Sequence, residues 1–301
     1  MRILIPVDGS SYSKAAVAFM ASRETLIHTQ PEVELLNIQY AVSSRVVRAA
    51  GSELVNNYQA SEASKVLKPG VATLKRAGVT ARTQYFVGSP GTAVGKAAAA
   101  YGADLIVMGS HGHTGFKSVL FGSVTNAVLA SCTTPVLVLR DEVMAKKESL
   151  RIGIALDGGK FGVAAVKFVV KHRDLFGAQP SVTLMHVVPD LLNFKTLGFL
   201  GMKTAPVYEP AEVQAMQQAA CEHAMAAPKK LLEAAGVKVN EVCLTGNSPG
   251  DEIAVYVKKN KLDMLVMGSH GLGALKSITM GSVSTRVAAT SRLPLLLIRK
   301  A

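Results

Sequence analysis

The sequence lacks tryptophan entirely, and aromatic residues make up only 5% of its 301 residues. Proteins that bind single-stranded nucleic acid rely on aromatic side chains for base stacking, so this scarcity argues against nucleic-acid binding. A long basic run is also missing, although the net charge is +12 and the pI is near 9.6. The positive charge favours an anionic partner, and solvated lysines on helix surfaces are the alternative.

Long hydrophobic segments are absent as well, although 49% of the residues are apolar and the mean hydropathy is +0.28. No segment approaches the roughly 20 apolar residues that span a bilayer, so we expect no membrane insertion. The apolar residues form short runs instead, such as Ile3 to Val7 and Leu295 to Ile298. Such runs are typical of strands buried on both faces of a parallel sheet.

Cysteine is scarce too, which excludes a small disulfide-rich scaffold. Cys132, Cys221 and Cys243 are odd in number and lack close spacing. We therefore expect three free, buried thiols and a reducing cytoplasmic location.

The most informative stretch that is present runs from Val107 to Thr125. An apolar segment leads into a loop containing Gly109 and Gly112, and Gly122-Ser123 then precedes a helix-like run. This order cradles phosphate, because glycine lets backbone N–H groups approach an anion closely. The start of a helix adds unpaired N–H groups and a positive dipole end.

The same glycine pattern recurs 159 residues later, at positions 268, 271 and 281. One glycine pattern is weak evidence for a phosphate site, whereas two copies in register within one chain are much stronger. A strand-end aspartate also repeats, at Asp8 and Asp157, with an offset of 149. The second copy therefore carries 159 − 149 = 10 additional residues, which we place in the segment from Pro189 to Pro210.

Alternating apolar strands and helices in both halves predict the α/β class, with two doubly wound, Rossmann-like parallel sheets of five strands in tandem. The charged stretch from Asp141 to Ser149 lacks apolar periodicity. We therefore place the linker at about 142–149, between a first domain of residues 1–141 and a second of residues 150–301. In such sheets, ligands bind where the strand order reverses, so Asp8 and Gly109 are expected to converge on one crevice.

Helical periodicity predicts one helix from about Ser13 to His28 and a long one from about Ser52 to Ala77. Pro69-Gly70 is the expected break in the long helix, and residues 41–50 fit neither period. Asp104 and Asp263 precede the fourth strand of each half, where we interpret them as turn residues.

Together, these motifs resemble the universal stress protein family in its tandem two-domain form, over nearly the whole chain. Both halves carry Gly-x2-Gly-x9-Gly-Ser, the pattern of the family's ATP-binding branch, and both end in a proline-led apolar strand. The resemblance implies the strand order 3-2-1-4-5 and pairing of the two domains through their fifth strands. This gives an intramolecular pseudo-dimer and leaves a further homodimer open.

The resemblance also implies ATP, or another adenine nucleotide, as the ligand, with Mg²⁺ held through its phosphates. It places Asp8 near adenine and ribose, Ile38 at the adenine and Gly109 at the ribose. The first nucleotide-binding site comprises Val7, Asp8, Ile38, Met108, Gly109, His111, Gly112, Gly122, Ser123 and Val124. The second comprises Leu156, Asp157, Val187, Met267, Gly268, His270, Gly271, Gly281, Ser282 and Val283. Residue chemistry agrees, since a carboxylate suits ribose hydroxyls and a serine hydroxyl beside successive N–H groups suits phosphate.

The second copy departs from the first in two respects. Asp157 is followed by Gly-Gly-Lys rather than Gly-Ser-Ser, so Lys160 either reaches phosphate or is solvated. The lengthened segment from Pro189 to Pro210 either covers the second site or fills it.

Simpler interpretations remain open for several residues. Asp8 alternatively only caps the following helix. His111 and His113 alternatively form a metal pair, but only the first recurs, because Leu272 stands in place of the second. Two equivalent loop lysines, Lys117 and Lys276, either screen phosphate charge or are solvated.

No nucleophile, general base or metal constellation recurs in both halves, so we assign no catalytic or metal-ligating residue. The sequence lacks a Gly-Lys-Ser/Thr loop ending. The resemblance therefore favours an ATP-binding stress-response sensor or regulator that acts through nucleotide-dependent interactions with an unidentified protein partner. The alternatives are a slow ATP hydrolase or phosphotransferase and a partner-binding scaffold with empty nucleotide loops.

Overall fold

The computed structural model describes residues 1–112, 120–140, 147–192, 209–269 and 280–299. The chain divides into two compact units. The first unit contains Met1–Ser149, His172–Ala178 and Arg292–Lys300, and the second is built from Leu150–Lys171 and Gln179–Ser291. The strands are β1 (Arg2–Pro6), β2 (Glu32–Gln39), β3 (Ala81–Val87), β4 (Leu105–Gly109), β5 (Val136–Leu139), β6 (Arg151–Leu156), β7 (Ser181–Val188), β8 (Lys238–Thr245), β9 (Met264–Gly268) and β10 (Leu295–Ile298). The α-helices are α1 (Ser11–Ala21), α2 (Glu24–His28), α3 (Ser44–Ala50), α4 (Ser52–Arg76), α5 (Pro90–Tyr101), α6 (Ser123–Ser131), α7 (Lys160–Lys171), α8 (Pro210–Ala234), α9 (Pro249–Lys259) and α10 (Ser282–Thr290).

The strands of the first unit lie in the order β3-β2-β1-β4-β5-β10. Strands β1 to β5 run parallel, and Ile3 of β1 lies opposite Val33 of β2 on one side and Leu105 of β4 on the other. The strand order therefore reverses between β1 and β4. This arrangement confirms the predicted α/β class and the order 3-2-1-4-5.

The final strand of the second sequence repeat, β10, belongs to the first unit. It pairs antiparallel with β5, with Leu295 opposite Val138 and Leu297 opposite Val136. These side chains are fully or almost fully buried. The two final strands, which the resemblance places together, thus pair directly.

The second unit repeats the pattern with parallel strands in the order β9-β6-β7-β8. Ile152 of β6 lies opposite Val182 of β7 and Met264 of β9. The strand order again reverses beside the first strand of the repeat. Within the described ranges, each helix of the chain is too short or too polar to cross a bilayer.

Two equivalent aspartates hold the amino ends of the first strands. Asp104 Oδ2 accepts a hydrogen bond from the Arg2 backbone N–H at 2.8 Å, and Asp263 Oδ2 accepts one from Arg151 N–H at 2.9 Å. Both carboxylates therefore hold the start of a first strand, and their predicted role in a turn stays a prediction.

The predicted helix from Ser13 to His28 is in fact two helices. The break lies at Ser22 and Arg23, where the Ser22 hydroxyl donates to Phe19 O at 2.7 Å and so satisfies a carbonyl at the end of α1. The Arg23 side chain is buried and donates to the carbonyl of Lys147. This tertiary contact ends the helix, and helical periodicity alone does not reveal it.

The long helix α4 shows no break at Pro69, and α8 likewise contains Pro228. A proline inside a helix costs about 3 kcal/mol, which burial of Leu67 and Leu74 on the same helix offsets. Gly70 serves close packing, because an added Cβ would lie 2.9 Å from Leu35 Cδ1 of β2. Part of the ambiguous stretch 41–50 forms the short helix α3.

One expectation about the cysteines is wrong. Cys221 of α8 and Cys243 of β8 form a disulfide, with Cα atoms 5.9 Å apart, whereas Cys132 keeps a free, buried thiol. The two cysteines are 22 residues apart in the sequence and come together because α8 packs on β8. Their spacing alone does not predict this contact. The expected reducing environment depends on free thiols, so a cytoplasmic location of the protein stays a prediction.

An ionic contact joins α9 to α10 in the second unit. Arg286 Nε donates to Asp251 Oδ1 at 2.7 Å, and the Ser248 hydroxyl donates to Oδ2 at 2.6 Å. The bond from Arg286 and then that from Ser248 hold the pKa of Asp251 below its usual value of 3.8.

We expect Asp251→Asn to lower the thermal midpoint slightly at neutral pH and not at all in strong acid. A carboxylate with a lowered pKa in the folded state stabilises the fold above its unfolded-state pKa, and this contribution is lost as the pH falls through the folded-state pKa. The midpoints of wild type and variant should therefore converge as the pH falls below about 4. The difference stays small because the pair is exposed. A difference that does not change with pH would contradict this assignment.

Candidate functional site

A cavity of about 290 Å³ lies at the carboxyl ends of β1, β2 and β4 in the first unit. It occupies the place where the strand order reverses, which is where open α/β sheets bind ligands. All ten residues predicted for the first site line this cavity. The lining residues that sequence reasoning missed are Pro6, Ser13, Leu36, Tyr40, Pro90, Val94 and Thr125.

Asp8 follows β1 and organises the turn into α1. Its Oδ1 accepts hydrogen bonds from the backbone N–H of Ser10 at 3.0 Å and from the Ser10 hydroxyl at 2.6 Å. Ser10 is the residue that caps α1, since its side chain accepts from the N–H of Ser13 at 3.2 Å. Asp8 is therefore not the helix cap. Its Oδ2 lies beside Gly112, 2.7 Å from where a Cβ would stand, and so faces the glycine loop.

The amino end of α6 supplies backbone donors to the same cavity. Gly122 is its N-cap and provides no side-chain capping bond, and the first hydrogen bond within the helix runs from Asn126 N–H to Gly122 O at 3.0 Å. Ser123 and Val124 come before this bond in the helix, so their N–H groups have no partner carbonyl within the helix. Both residues line the cavity. Together with the Ser123 hydroxyl and the positive end of the helix dipole, these N–H groups suit an anionic group.

The three loop glycines differ in what an added side chain would meet. At Gly109 an added Cβ would lie 2.5 Å from Tyr12 Cβ and 2.9 Å from its backbone carbon, so this glycine lets α1 pack on the end of β4. At Gly112 it would meet the Asp8 carboxylate. At Gly122 the nearest heavy atoms stand 3.4 Å from an added Cβ, which is ordinary van der Waals contact.

In each unit, a side chain of the second strand binds the backbone carbonyl at the end of the first strand. Asn37 Nδ2 donates to Val7 O at 2.7 Å, and Gln39 Nε2 donates to Asn37 Oδ1 at 2.6 Å. In the second unit His186 takes the place of Asn37, with Nδ1 2.8 Å from Leu156 O. Sequence reasoning missed this support, because the equivalent residues differ in type.

The second predicted site has the same framework in its described part. Asp157 follows β6, and its Oδ1 accepts the Gly159 N–H at 2.9 Å, as Asp8 accepts that of Ser10. The Ser284 hydroxyl donates to Gly268 O at 3.0 Å, and Thr125 donates equivalently to Gly109 O at 3.1 Å. The other described members lie at the strand ends or at the start of α10: Leu156, Val187, Met267, Gly281, Ser282 and Val283.

Other predicted features of the site fall partly outside the described residues. Those outside are His270 and Gly271 of the second site, His113, Lys117, Leu272 and Lys276 of the loops, positions 142–146 of the linker, and positions 193–208 of the lengthened segment. Lys160 is described, and its Nζ lies 5.6 Å from the centre of the Phe161 ring. Within the described ranges, no group of three or more His, Cys, Asp or Glu residues is arranged to hold a metal ion.

Comparison with known proteins agrees with the fold. A universal stress protein of Mycolicibacterium smegmatis is 25% identical over 310 residues, covering 99% of this chain and 96% of its own. One of Methanocaldococcus jannaschii is 33% identical over 151 residues, covering 50% of this chain and 82% of its own. The crystal structure of a universal stress protein from Archaeoglobus fulgidus has the same fold, with a TM-score of 0.70, 22% identity, and coverage of 100% of this chain and 98% of that one. The sequence model of the universal stress protein family matches twice, over residues 1–140 and 149–299, and the chain therefore belongs to that family.

Proposed function

We propose that this protein binds ATP, or another adenine nucleotide, in its first unit and regulates a stress response through nucleotide-dependent interactions with a protein partner. One observation carries the proposal. The strand-end carboxylate of Asp8 and the open amino end of α6 line a single cavity, although Asp8 and Ser123 stand 123 − 8 = 115 residues apart in the chain.

The lining of the cavity matches the parts of a nucleotide. Apolar side chains of Val7, Leu36 and Ile38 offer a surface for a base, and the Asp8 carboxylate suits the ribose hydroxyl pair. The N–H groups at Ser123 and Val124 suit phosphate oxygens. A Mg²⁺ ion would arrive bound to the phosphates and needs few protein ligands.

We extend the proposal to the second domain, which repeats the strand-end Asp157 and the Gly281-Ser282 helix start. Its Gly-Gly-Lys turn differs from the first, so we expect the two domains, 1–141 and 150–301, to differ in affinity. The first domain should hold the tighter site.

The direct test is release of nucleotide from purified protein upon denaturation, followed by calorimetry with Mg-ATP. A ligand at about 100 times its dissociation constant stabilises the folded state by roughly 2.7 kcal/mol per site. At roughly 2–4 °C per kcal/mol, Mg-ATP should raise the thermal midpoint by several degrees. We expect Asp8→Ala to reduce this shift more than its matched variant Asp157→Ala. If no nucleotide is released and Mg-ATP does not raise the thermal midpoint of wild type, the proposal is wrong. The protein would then be a partner-binding scaffold with empty nucleotide loops.

A further inference from the structure

Among the described residues that line the cavity, Tyr40 is the one large hydrophobic side chain that is exposed. It lines the cavity, yet 72% of its surface is exposed. It directly follows the end of β2, two positions beyond Ile38, which is assigned to the base. An aromatic ring that lines an apolar cavity and is open to solvent is suited to stack on a planar ligand.

The backbone of Tyr40 is held in place while its ring stays accessible. Gln59 of α4 donates from Nε2 to the Tyr40 carbonyl at 3.0 Å, and Gln59 itself is only 5% exposed. A buried donor thus fixes the residue at the mouth of the cavity. The ring can then meet a ligand without the cost of ordering a loose loop.

The position of this ring points to the base end of the ligand. The other ring that lines the cavity, His111, follows β4 in the glycine loop and already packs against Tyr12, with ring centres 5.5 Å apart. Tyr40 instead follows β2, the strand that carries Ile38 of the proposed base contact. In the second half, position 40 + 149 is Pro189, which offers no stacking ring.

We propose that Tyr40 stacks on the nucleobase at the first site and thereby favours purine over pyrimidine nucleotides. This inference rests on the proposed nucleotide site. Stacking depends on ring area, so a two-ring base gains more from the phenol than a one-ring base does. The first site therefore gains base selectivity that Pro189, at the equivalent position of the second copy, cannot supply.

The test is isothermal calorimetry with ATP, CTP and inorganic tripolyphosphate on Tyr40→Ala, Tyr40→Phe and wild type. We expect Tyr40→Ala to weaken ATP binding at the first site by roughly tenfold, the loss typical of a base–aromatic stack. In Tyr40→Ala, binding of CTP should weaken less than binding of ATP, and the affinity for tripolyphosphate should change by less than twofold. Tyr40→Phe should bind ATP with wild-type affinity. Tyr58→Ala is the matched control, because Tyr58 is also an exposed tyrosine, at 61%, but lies outside the cavity lining.

The outcomes separate this inference from the proposed function. A wild type that binds no nucleotide overturns both. If wild type binds ATP, two results overturn the role of Tyr40 alone: unchanged ATP affinity in Tyr40→Ala, or equal weakening of ATP and tripolyphosphate. Circular dichroism and the thermal midpoint of each variant check that the fold is retained.

Discussion

Gly122→Glu should weaken ATP binding in the first unit at least 100-fold while the protein stays folded. Gly122 has φ −62° and ψ 161°, which any residue adopts, and an added Cβ would keep 3.4 Å from its neighbours. The new carboxylate would stand at the uncapped start of α6, where phosphate is proposed to bind, and would repel it. A 100-fold loss corresponds to about 2.7 kcal/mol, the size of one or two hydrogen bonds to a charged group.

Two further variants isolate the charge. Gly122→Gln adds nearly the same volume without charge, and Gly122→Ala adds only a methyl group, so both should retain more affinity than Gly122→Glu. The thermal midpoint of Gly122→Glu should not fall, since a carboxylate near a helix start favours the helix. Calorimetry that finds ATP affinity retained in Gly122→Glu would overturn the phosphate assignment. Phosphate release by wild type above that of this variant would instead favour the hydrolase alternative.

The equivalent change Gly281→Glu addresses the second unit, where Gly281 caps α10 with nearly the same angles, φ −67° and ψ 159°. If both units bind nucleotide, each single variant should lower the stoichiometry by one. A stoichiometry unaffected by Gly281→Glu would mean that nucleotide binds only in the first unit.

Gly109→Ala should destabilise the protein by about 1–3 kcal/mol, the usual cost of overpacking. The added methyl group would meet both Tyr12 Cβ at 2.5 Å and its backbone carbon at 2.9 Å, and backbone cannot swing aside as a side chain can. The matched control is Gly122→Ala in the same loop, where the methyl group fits. Urea unfolding of both variants measures the difference. Equal stabilities of the two would show that α1 tolerates closer approach than this packing implies.

Much of the first site could be predicted because short-range patterns specify it. A strand-end aspartate and a glycine loop repeated in register locate the ends of β1 and β4, and the parallel order then brings Asp8 to Gly112. Thr125 could also have been predicted as a site residue, because a hydroxyl recurs at the equivalent position Ser284.

Other features depend on tertiary contacts that no local pattern encodes. The break between α1 and α2 follows from burial of Arg23. The disulfide of Cys221 and Cys243 follows from the docking of α8 on β8. Gln59 of α4, which is distant in the sequence, holds the backbone of Tyr40 beside the cavity.

The pairing of β10 with β5 has a consequence for the order in which the chain folds during synthesis. Leu295 and Val138 are 295 − 138 = 157 residues apart, so at about 5–20 residues per second a ribosome needs roughly 8–30 s to make the second partner after the first. Throughout that interval the apolar edge of β5 remains unpaired. An unpaired apolar edge of this kind can pair with other chains. The first unit is therefore completed only once β10 has been made, and its edge at β5 needs protection until then.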